Sequence, residues 1–248
     1  MCPRCHDTGW VRSGVFGAET GWRVEVVRCG CQRAADQRRV WERAQRMSNL
    51  SPEMRRLSFD GFDAGRQPEA YAVMRSFAET VTGWVVLNGA SGLGKTHLLA
   101  AAANALLAAG HAPVYVVAVD FLDYLKSALK AAMRSRQNGE ESGRDADDGF
   151  ETMERRMEQA RTCEVLLLDD LAAERETEWS VERFYALLEY RYRNELPTVL
   201  ASNLHPEDFP ARVASRLQDR RLCRVVELEG ADYRISPSSL SRERGQAG

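Results

Sequence analysis

A single stretch of eight residues limits the possible folds of this chain more than any other feature: it reads Gly89-Ala90-Ser91-Gly92-Leu93-Gly94-Lys95-Thr96. An apolar run, Trp84-Val85-Val86-Leu87, precedes it, and an alanine- and leucine-rich run from His97 to Ala109 follows it. In this strand–loop–helix order the glycines let successive N–H groups face inward, and the helix start adds partial positive charge. We therefore predict a nucleoside triphosphate site, in which Lys95 reaches the β- and γ-phosphates and Thr96 offers its hydroxyl to Mg²⁺. A glycine-rich turn with an incidental lysine is the alternative, which both flanks disfavour.

A second chemical centre follows the apolar run from Val165 to Leu168, which ends in Asp169-Asp170. Parallel sheets bind their ligands at the carboxyl ends of the strands. We therefore expect Asp169 to hold Mg²⁺, mostly through water, and Asp170 to orient or deprotonate the attacking water. A strand that simply ends in a turn is the alternative.

Asn203 follows a further predicted strand, 197–201, and could hydrogen-bond the γ-phosphate or the water, although alone it is typical of a turn.

Four of the six cysteines lie within the first 31 residues, namely Cys2, Cys5, Cys29 and Cys31. Two β-prone stretches, 9–15 and 22–27, lie between the two cysteine pairs, and a hairpin would bring the pairs together at one end. Four thiolates can then complete a tetrahedral zinc shell of the structural kind. His6 could substitute for one ligand. Disulfides are disfavoured in the cytoplasm, where we expect this chain. Cys163 and Cys223 are predicted to be buried thiols without a special role.

Composition excludes several functional classes. The chain is 44% hydrophobic and 28% charged, which is ordinary for a soluble globular protein. Its formal net charge of −2 requires any nucleic-acid contact to be a local patch. No apolar run approaches the roughly 20 residues of a membrane span, and the N-terminus lacks the apolar core of a signal peptide. We therefore expect a cytoplasmic protein without a membrane partner.

The chain is predicted to divide into a zinc-binding domain (1–33), an arginine-rich helical linker (34–56), a nucleotide-binding domain (57–235) and a flexible tail (236–248). In the nucleotide-binding domain, Phe59 and Phe62 are expected to be apolar anchors near the base. The remaining predicted elements are helices over 68–82, 121–136, 150–161, 179–194 and 211–221, strands over 113–119 and 223–228, Asp120 as a helix cap, and a mobile loop over 138–149.

This order of motifs resembles that of the AAA+ ATPases. Within them, the chain is similar to the DnaC/DnaI-like replicative helicase loaders, which also resemble the IstB-type transposition ATPases. The resemblance covers residues 57–235. It depends on the phosphate loop and on 167–171, 178–179, 190–192, 196–198, 202–204, 214–217 and 230–234. It implies an α/β fold in which helices flank a central parallel sheet, with little or no C-terminal lid because few residues follow Leu228. The cysteine hairpin is similar to the zinc-binding helicase-interaction domain of DnaI-type loaders.

The resemblance also implies individual roles. Asn203 would be the sensor-1 residue, Arg216 the arginine finger that reaches the ATP site of a neighbouring subunit, and Arg234 a sensor-2-like arginine. Arg212 and Arg220 remain rivals for the finger. Most AAA+ proteins carry Asp-Glu at the acidic strand, whereas this chain carries Asp-Asp. Because the shorter carboxylate lies further from the water, we expect a slow, switch-like ATPase.

The expected function is that of an ATP-dependent helicase loader that uses ATP, Mg²⁺ and Zn²⁺. The zinc domain and linker would bind a hexameric replicative helicase, and self-assembled ATPase domains would grip single-stranded DNA. Candidate phosphate-backbone contacts are Lys126, Lys130, Arg134 and Arg136, for which a solvated helix face is the alternative. One rival is an IstB-like transposition ATPase that acts on duplex DNA with a transposase. Another is a small-molecule P-loop kinase, disfavoured because no arginine-rich lid segment is evident.

Overall fold

The computed structural model describes residues 2–6, 8–18, 21–31, 44–45, 47–137, 143–171 and 178–233. Contacts divide the chain into two units, Met1–Arg46 and Met47–Gly248. This division coincides with none of the predicted boundaries, after residues 33, 56 and 235, which stay predictions. Residues 47–56, assigned to the linker from sequence, belong to the second unit, where the Ser48 carbonyl accepts a hydrogen bond from the Tyr115 N–H at 2.9 Å.

The first unit contains an antiparallel hairpin of two strands, β1 (Trp10–Ala18) and β2 (Gly21–Arg28). The register pairs Trp10 with Arg28 and shifts between Arg12 and Gly14. The hairpin expected from sequence is present, and both of its strands are longer than predicted. Gly14 and Gly17 lie within β1.

The second unit is built on a five-stranded parallel sheet. Its strands are β3 (Trp84–Asn88), β4 (Pro113–Val117), β5 (Val165–Asp169), β6 (Thr198–Ser202) and β7 (Cys223–Glu227). The spatial order is β4-β5-β6-β3-β7, with every pairing parallel. All five residues of β3, β5 and β6 are buried, as their apolar sequences require of strands covered on both faces. The predicted fold class is confirmed. Because β6 lies between β3 and β5, its carboxyl end is adjacent to both chemical centres.

In the described part of the second unit, six helices accompany the sheet: α1 (Pro68–Thr80), α2 (Lys95–Ala108), α3 (Ala118–Gln137), α4 (Gly143–Thr162), α5 (Glu178–Arg193) and α6 (Ala211–Leu217). Short 3₁₀ turns occur at Met54–Arg56 and Pro206–Asp208. Among the described residues, no helix is long and apolar enough to cross a membrane.

Three local predictions are wrong. Asp120 lies in the first turn of α3 and does not cap it, because the helix begins at Ala118. Residues 143–149 are helical, although their acidic composition suggested a loop; carboxylates near a helix start are favoured by the helix dipole. The basic helix α6 ends at Leu217, four residues before its predicted end. Residues 138–142 of the predicted loop lie outside the described residues.

An arginine is fully buried at the amino-terminal edge of the sheet, opposite the edge that carries the two chemical centres. Arg191 of α5 has no exposed surface. Its guanidinium donates hydrogen bonds to the Thr198 hydroxyl at 2.9 Å and to the Pro197 carbonyl at 2.7 Å. It also bonds the carbonyls of Ala160, Arg161 and Cys163 at 3.1, 3.1 and 2.9 Å. Burial lowers the pKa of this guanidinium. Arg191 thus joins the end of α4 to the segments that enter β5 and β6.

Candidate nucleotide-binding site

A cavity of about 1010 Å³ opens at the carboxyl edge of the sheet. Its lining comprises Asp60, Gly61, Phe62, Asp63, Ser91, Gly92, Gly94, Lys95, Thr96, His97, Val117, Asp169, Asp170, Asn203 and Tyr233. The structure thus brings the phosphate loop, the acidic strand and Asn203 together around one space. These are the groups that the sequence assigned to the nucleotide site.

Two glycines of the phosphate loop have backbone conformations that other residues rarely adopt. Gly92 and Gly94 have φ angles of +79° and +91°, in the left-handed region. A Cβ atom on Gly92 would lie 2.0 Å from the Asp232 carboxylate, and one on Gly94 would lie 2.7 Å from the Phe62 ring. The loop therefore needs glycine both for its backbone conformation and for close packing against its neighbours.

Lys95 is nearly buried, and its ammonium group lies within the loop. It donates hydrogen bonds to the carbonyls of Gly89 and Ala90, at 2.6 and 2.8 Å, and to Asn203 Oδ1 at 2.8 Å. The Asn203 amide nitrogen lies 3.5 Å from the Ser91 hydroxyl. Asn203 therefore contacts the phosphate loop from the neighbouring strand, through the lysine that the sequence assigned to the β- and γ-phosphates.

The two aspartates at the carboxyl end of β5 differ in environment. Asp169 is 5% exposed and accepts hydrogen bonds from the Tyr115 hydroxyl at 2.5 Å and from the Asp170 N–H at 2.9 Å. Burial and the adjacent Asp169 raise the pKa of Tyr115, so the phenol remains a donor. Asp170 is exposed, and its backbone is left-handed, with φ 54°. Asp169 is thus held in place by two hydrogen bonds, and both aspartates line the cavity. Tyr115 was missed from sequence; its only signal is a hydroxyl within an apolar strand.

Aromatic side chains surround the other end of the cavity. The Phe62 ring lies 5.3 Å from His97 and 6.1 Å from Tyr233, measured between centroids. The Arg66 guanidinium covers Tyr233 at 3.8 Å, and the Tyr233 N–H donates to the Gly92 carbonyl at 2.9 Å. Phe62 therefore lines the cavity beside the phosphate loop, and its predicted place near the base stays a prediction. Phe59, predicted beside it, does not line the cavity and packs edge-on against Tyr71.

Arg216 does not line the cavity of its own chain. Its guanidinium pairs with Glu189 of α5, with Nε 2.8 Å from Oε2, and lies near the rings of Tyr185 and Tyr192. The hydrogen bond from Arg216 lowers the pKa of Glu189. Of its rivals, Arg212 lies 5.6 Å from the Tyr185 ring and Arg220 is exposed. Arg234 lies outside the described residues.

The four N-terminal cysteines form a compact cluster in the first unit. Their sulfur atoms all lie within 4.8 Å of one another, with Cys2 to Cys29 at 3.8 Å and Cys5 to Cys31 at 3.4 Å. Tetrahedral zinc with bonds of 2.3 Å would separate its sulfurs by about 3.8 Å. Backbone hydrogen bonds from Arg4 and Cys5 lower the pKa of Cys2 to about 6, whereas hydrogen bonds with Cys5 and Cys29 raise the pKa of Cys31 to about 12. The donor set thus fits a zinc ion without His6.

The basic residues predicted to contact DNA lie along α3. Lys126 is half-buried and Lys130 is exposed, and their spacing of four places them on one helix face. Arg134 and Arg136 belong to the same helix, but their side chains lie outside the described residues. All four assignments remain predictions.

A phosphate loop after β3, an acidic end to β5 and an inserted strand followed by Asn203 define a P-loop ATPase of the AAA+ class. Residues 54–224 match the family of the bacterial DnaA ATPase domain, and the chain belongs to that family. It is an AAA+ ATPase related to proteins of DNA replication.

The chain is 28% identical to XkdC of the phage-like element PBSX in Bacillus subtilis, covering 95% of this chain and 85% of XkdC. It is 26% identical to the replicative helicase loader DnaI of Bacillus subtilis, covering 75% of this chain but only 56% of DnaI. Among solved structures, the replication initiator DnaA bound to AMPPCP and single-stranded DNA matches with a TM-score of 0.57 at 25% identity. That match covers 74% of this chain and 52% of the DnaA chain.

Proposed function

We propose that this chain is an ATP-dependent loader of a replicative DNA helicase. One observation carries the proposal: the chain is similar to the helicase loader DnaI over 75% of its length. The similarity to a DnaA structure that contains single-stranded DNA supports action on that form of DNA. We propose that the protein acts in the cytoplasm, where the helicase and the single-stranded DNA would both be present.

For the ATPase cycle, we propose that Lys95 binds the β- and γ-phosphates, while Thr96 and Asp169 hold Mg²⁺, which neutralises phosphate charge. Asp170 would orient or deprotonate the attacking water, and Asn203 would contact the γ-phosphate. The hydrogen bond between Lys95 and Asn203 supports this arrangement, because it brings both side chains to the same part of the cavity. The shorter side chain of Asp170 is consistent with slow hydrolysis that depends on assembly and DNA.

For the assembly, we propose that Arg216 completes the ATP site of a neighbouring copy. Its distance from the cavity of its own chain supports a role in trans, since a guanidinium there neutralises charge on the transferred phosphate. Arg234 is proposed as a second, sensor-like arginine. Lys126, Lys130, Arg134 and Arg136 are proposed to contact the DNA backbone.

For the first unit, we propose that Cys2, Cys5, Cys29 and Cys31 hold a structural zinc ion that fixes the hairpin for helicase docking. Four protein ligands leave no open position for water, so the ion would stabilise the hairpin without performing chemistry. The hairpin and the arginine-rich residues after it would together contact the helicase.

Co-purification with a hexameric replicative helicase tests the proposal. The full chain should retain the helicase, and a Cys29→Ser, Cys31→Ser variant should lose both zinc and helicase while still binding ATP. Lys95→Ala should bind the helicase but fail to deposit it on single-stranded DNA. Failure of the zinc-loaded full chain to bind any helicase would contradict the proposal. Retention of a transposase with a preference for duplex DNA would favour the IstB-like alternative.

A further inference from the structure

Ser202, the last residue of β6, bridges the two chemical centres of the site. Its side chain is buried. Its hydroxyl donates a hydrogen bond to the Leu171 carbonyl at 2.5 Å and accepts one from the Leu204 N–H at 2.9 Å. Leu171 directly follows Asp170, and its N–H donates to the Ala201 carbonyl at 2.9 Å. The segment carrying the aspartates is therefore bonded to the turn carrying Asn203.

The same residue also contacts the phosphate loop. The Ser202 backbone carbonyl accepts a hydrogen bond from the Gly89 N–H at 3.2 Å, at the first residue of that loop. Two residues after Asn203, the His205 ring bonds the side-chain amide of buried Asn88 at 2.8 Å. The turn is thus anchored to the phosphate-loop strand on one side and to the acidic strand on the other.

Asp170 needs such support, because its backbone is left-handed, at φ 54°, which costs energy for a residue other than glycine. Hydrogen bonds on either side of it hold this conformation: its own N–H bonds Asp169, and Leu171 bonds β6 through both backbone groups. Removing the Ser202 hydroxyl would leave the Leu171 carbonyl and the Leu204 N–H without these partners.

We propose that Ser202 is a positioning residue for ATP hydrolysis, which keeps Asp170 and Asn203 in register with the phosphate loop so that they respond to the γ-phosphate as one unit. The proposal rests on the roles proposed above for Asp170 and Asn203. Ser202 does not line the cavity, so we do not expect it to touch the phosphates or the metal. Its loss should therefore change the chemical step more than nucleotide binding.

Steady-state kinetics of Ser202→Ala test this. We expect kcat to fall about tenfold or more, since small misplacements of reacting groups are costly, while KM for ATP stays within about threefold. Ser202→Thr keeps the hydroxyl and should retain most of kcat. Thr198→Ala is the matched control: Thr198 is another buried hydroxyl on β6, at the opposite end, bonded to Arg191 and the Leu196 carbonyl. It should lower thermal stability but leave kcat per folded molecule unchanged.

A wild-type kcat for folded Ser202→Ala would overturn the proposal, as would a raised KM with unchanged kcat. If Ser202→Ala does not fold, Ser202→Cys keeps the size, weakens both hydrogen bonds and should lower kcat in the same way. Asp170→Asn and Asn203→Ala, measured alongside, distinguish a failure of the roles proposed for Asp170 and Asn203 from a failure of the positioning role of Ser202. Wild-type kcat in both would refute the proposed roles themselves, whereas loss of kcat in both beside an unaffected Ser202→Ala would refute only the positioning role.

Discussion

At the scale of single residues, Arg191 shows how a charged side chain can belong to the core. It lies in a helix among apolar residues, and its hydrogen bonds all reach neutral acceptors, mainly carbonyls at the end of α4 and before β6. Carbonyls at a helix end carry partial negative charge, which compensates a buried cation. The planar guanidinium can reach acceptors in several directions at once.

Replacing Arg191 with methionine should therefore destabilise the fold by about 3 kcal/mol or more, because several buried carbonyls lose their donors. Arg191→Lys should not restore stability, since one ammonium cannot reach carbonyls on both α4 and the β6 entry. Urea unfolding measures both. Arg193→Met is the control: this arginine is two residues further along the same helix, is 74% exposed, and should change stability by less than about 1 kcal/mol. Equal effects of the two methionine variants would show that Arg191 has no special role.

At the scale of elements, the phosphate loop was the part that sequence could predict best. Its eight residues specify a local conformation, and the flanking strand and helix follow from adjacent sequence. The proximity of Asn203 could be expected once a parallel sheet was assumed. Tyr115 and Arg191 could not be assigned, because their partners come from distant segments that only the folded chain brings near. Residues 143–149 were misassigned because their acidic composition was interpreted as that of a loop, although acidic residues also stabilise the start of a helix.

The loop's dependence on glycine gives a prediction with a matched control. Gly94→Ala should weaken ATP affinity by at least about tenfold, because its φ is +91° and the added methyl must displace either the loop or the buried Phe62 ring. Gly110 also has a positive φ, +94°, but no atom lies within 4 Å of a Cβ placed there. Gly110→Ala should cost about 1–2 kcal/mol of stability and leave ATP affinity intact. Titration with a fluorescent ATP analogue separates the two. Unchanged affinity in Gly94→Ala would show that the close contact is not needed.

At the scale of the whole molecule, the nucleotide site contains a cation for the phosphates but, in the described residues, no arginine among its lining. The pairing of Arg216 with Glu189 keeps that guanidinium ordered on another surface of the same unit. An ordered arginine loses little conformational entropy when it enters a neighbour's site. Hydrolysis would then depend on the assembled state and not on ATP binding alone.

Complementation between variants tests this dependence. Arg216→Ala and Asp170→Asn should each bind ATP but lower kcat, the former by about 10³ or more if Arg216 acts as an arginine finger. A mixture of the two should regain activity, because the intact pocket of an Arg216→Ala subunit can receive Arg216 from an Asp170→Asn neighbour. Mixing Arg216→Ala with a chain carrying both substitutions should restore nothing, since no subunit then supplies the arginine. If the first mixture co-assembles yet stays as inactive as its components, Arg216 acts within its own chain or only stabilises α5 against α6.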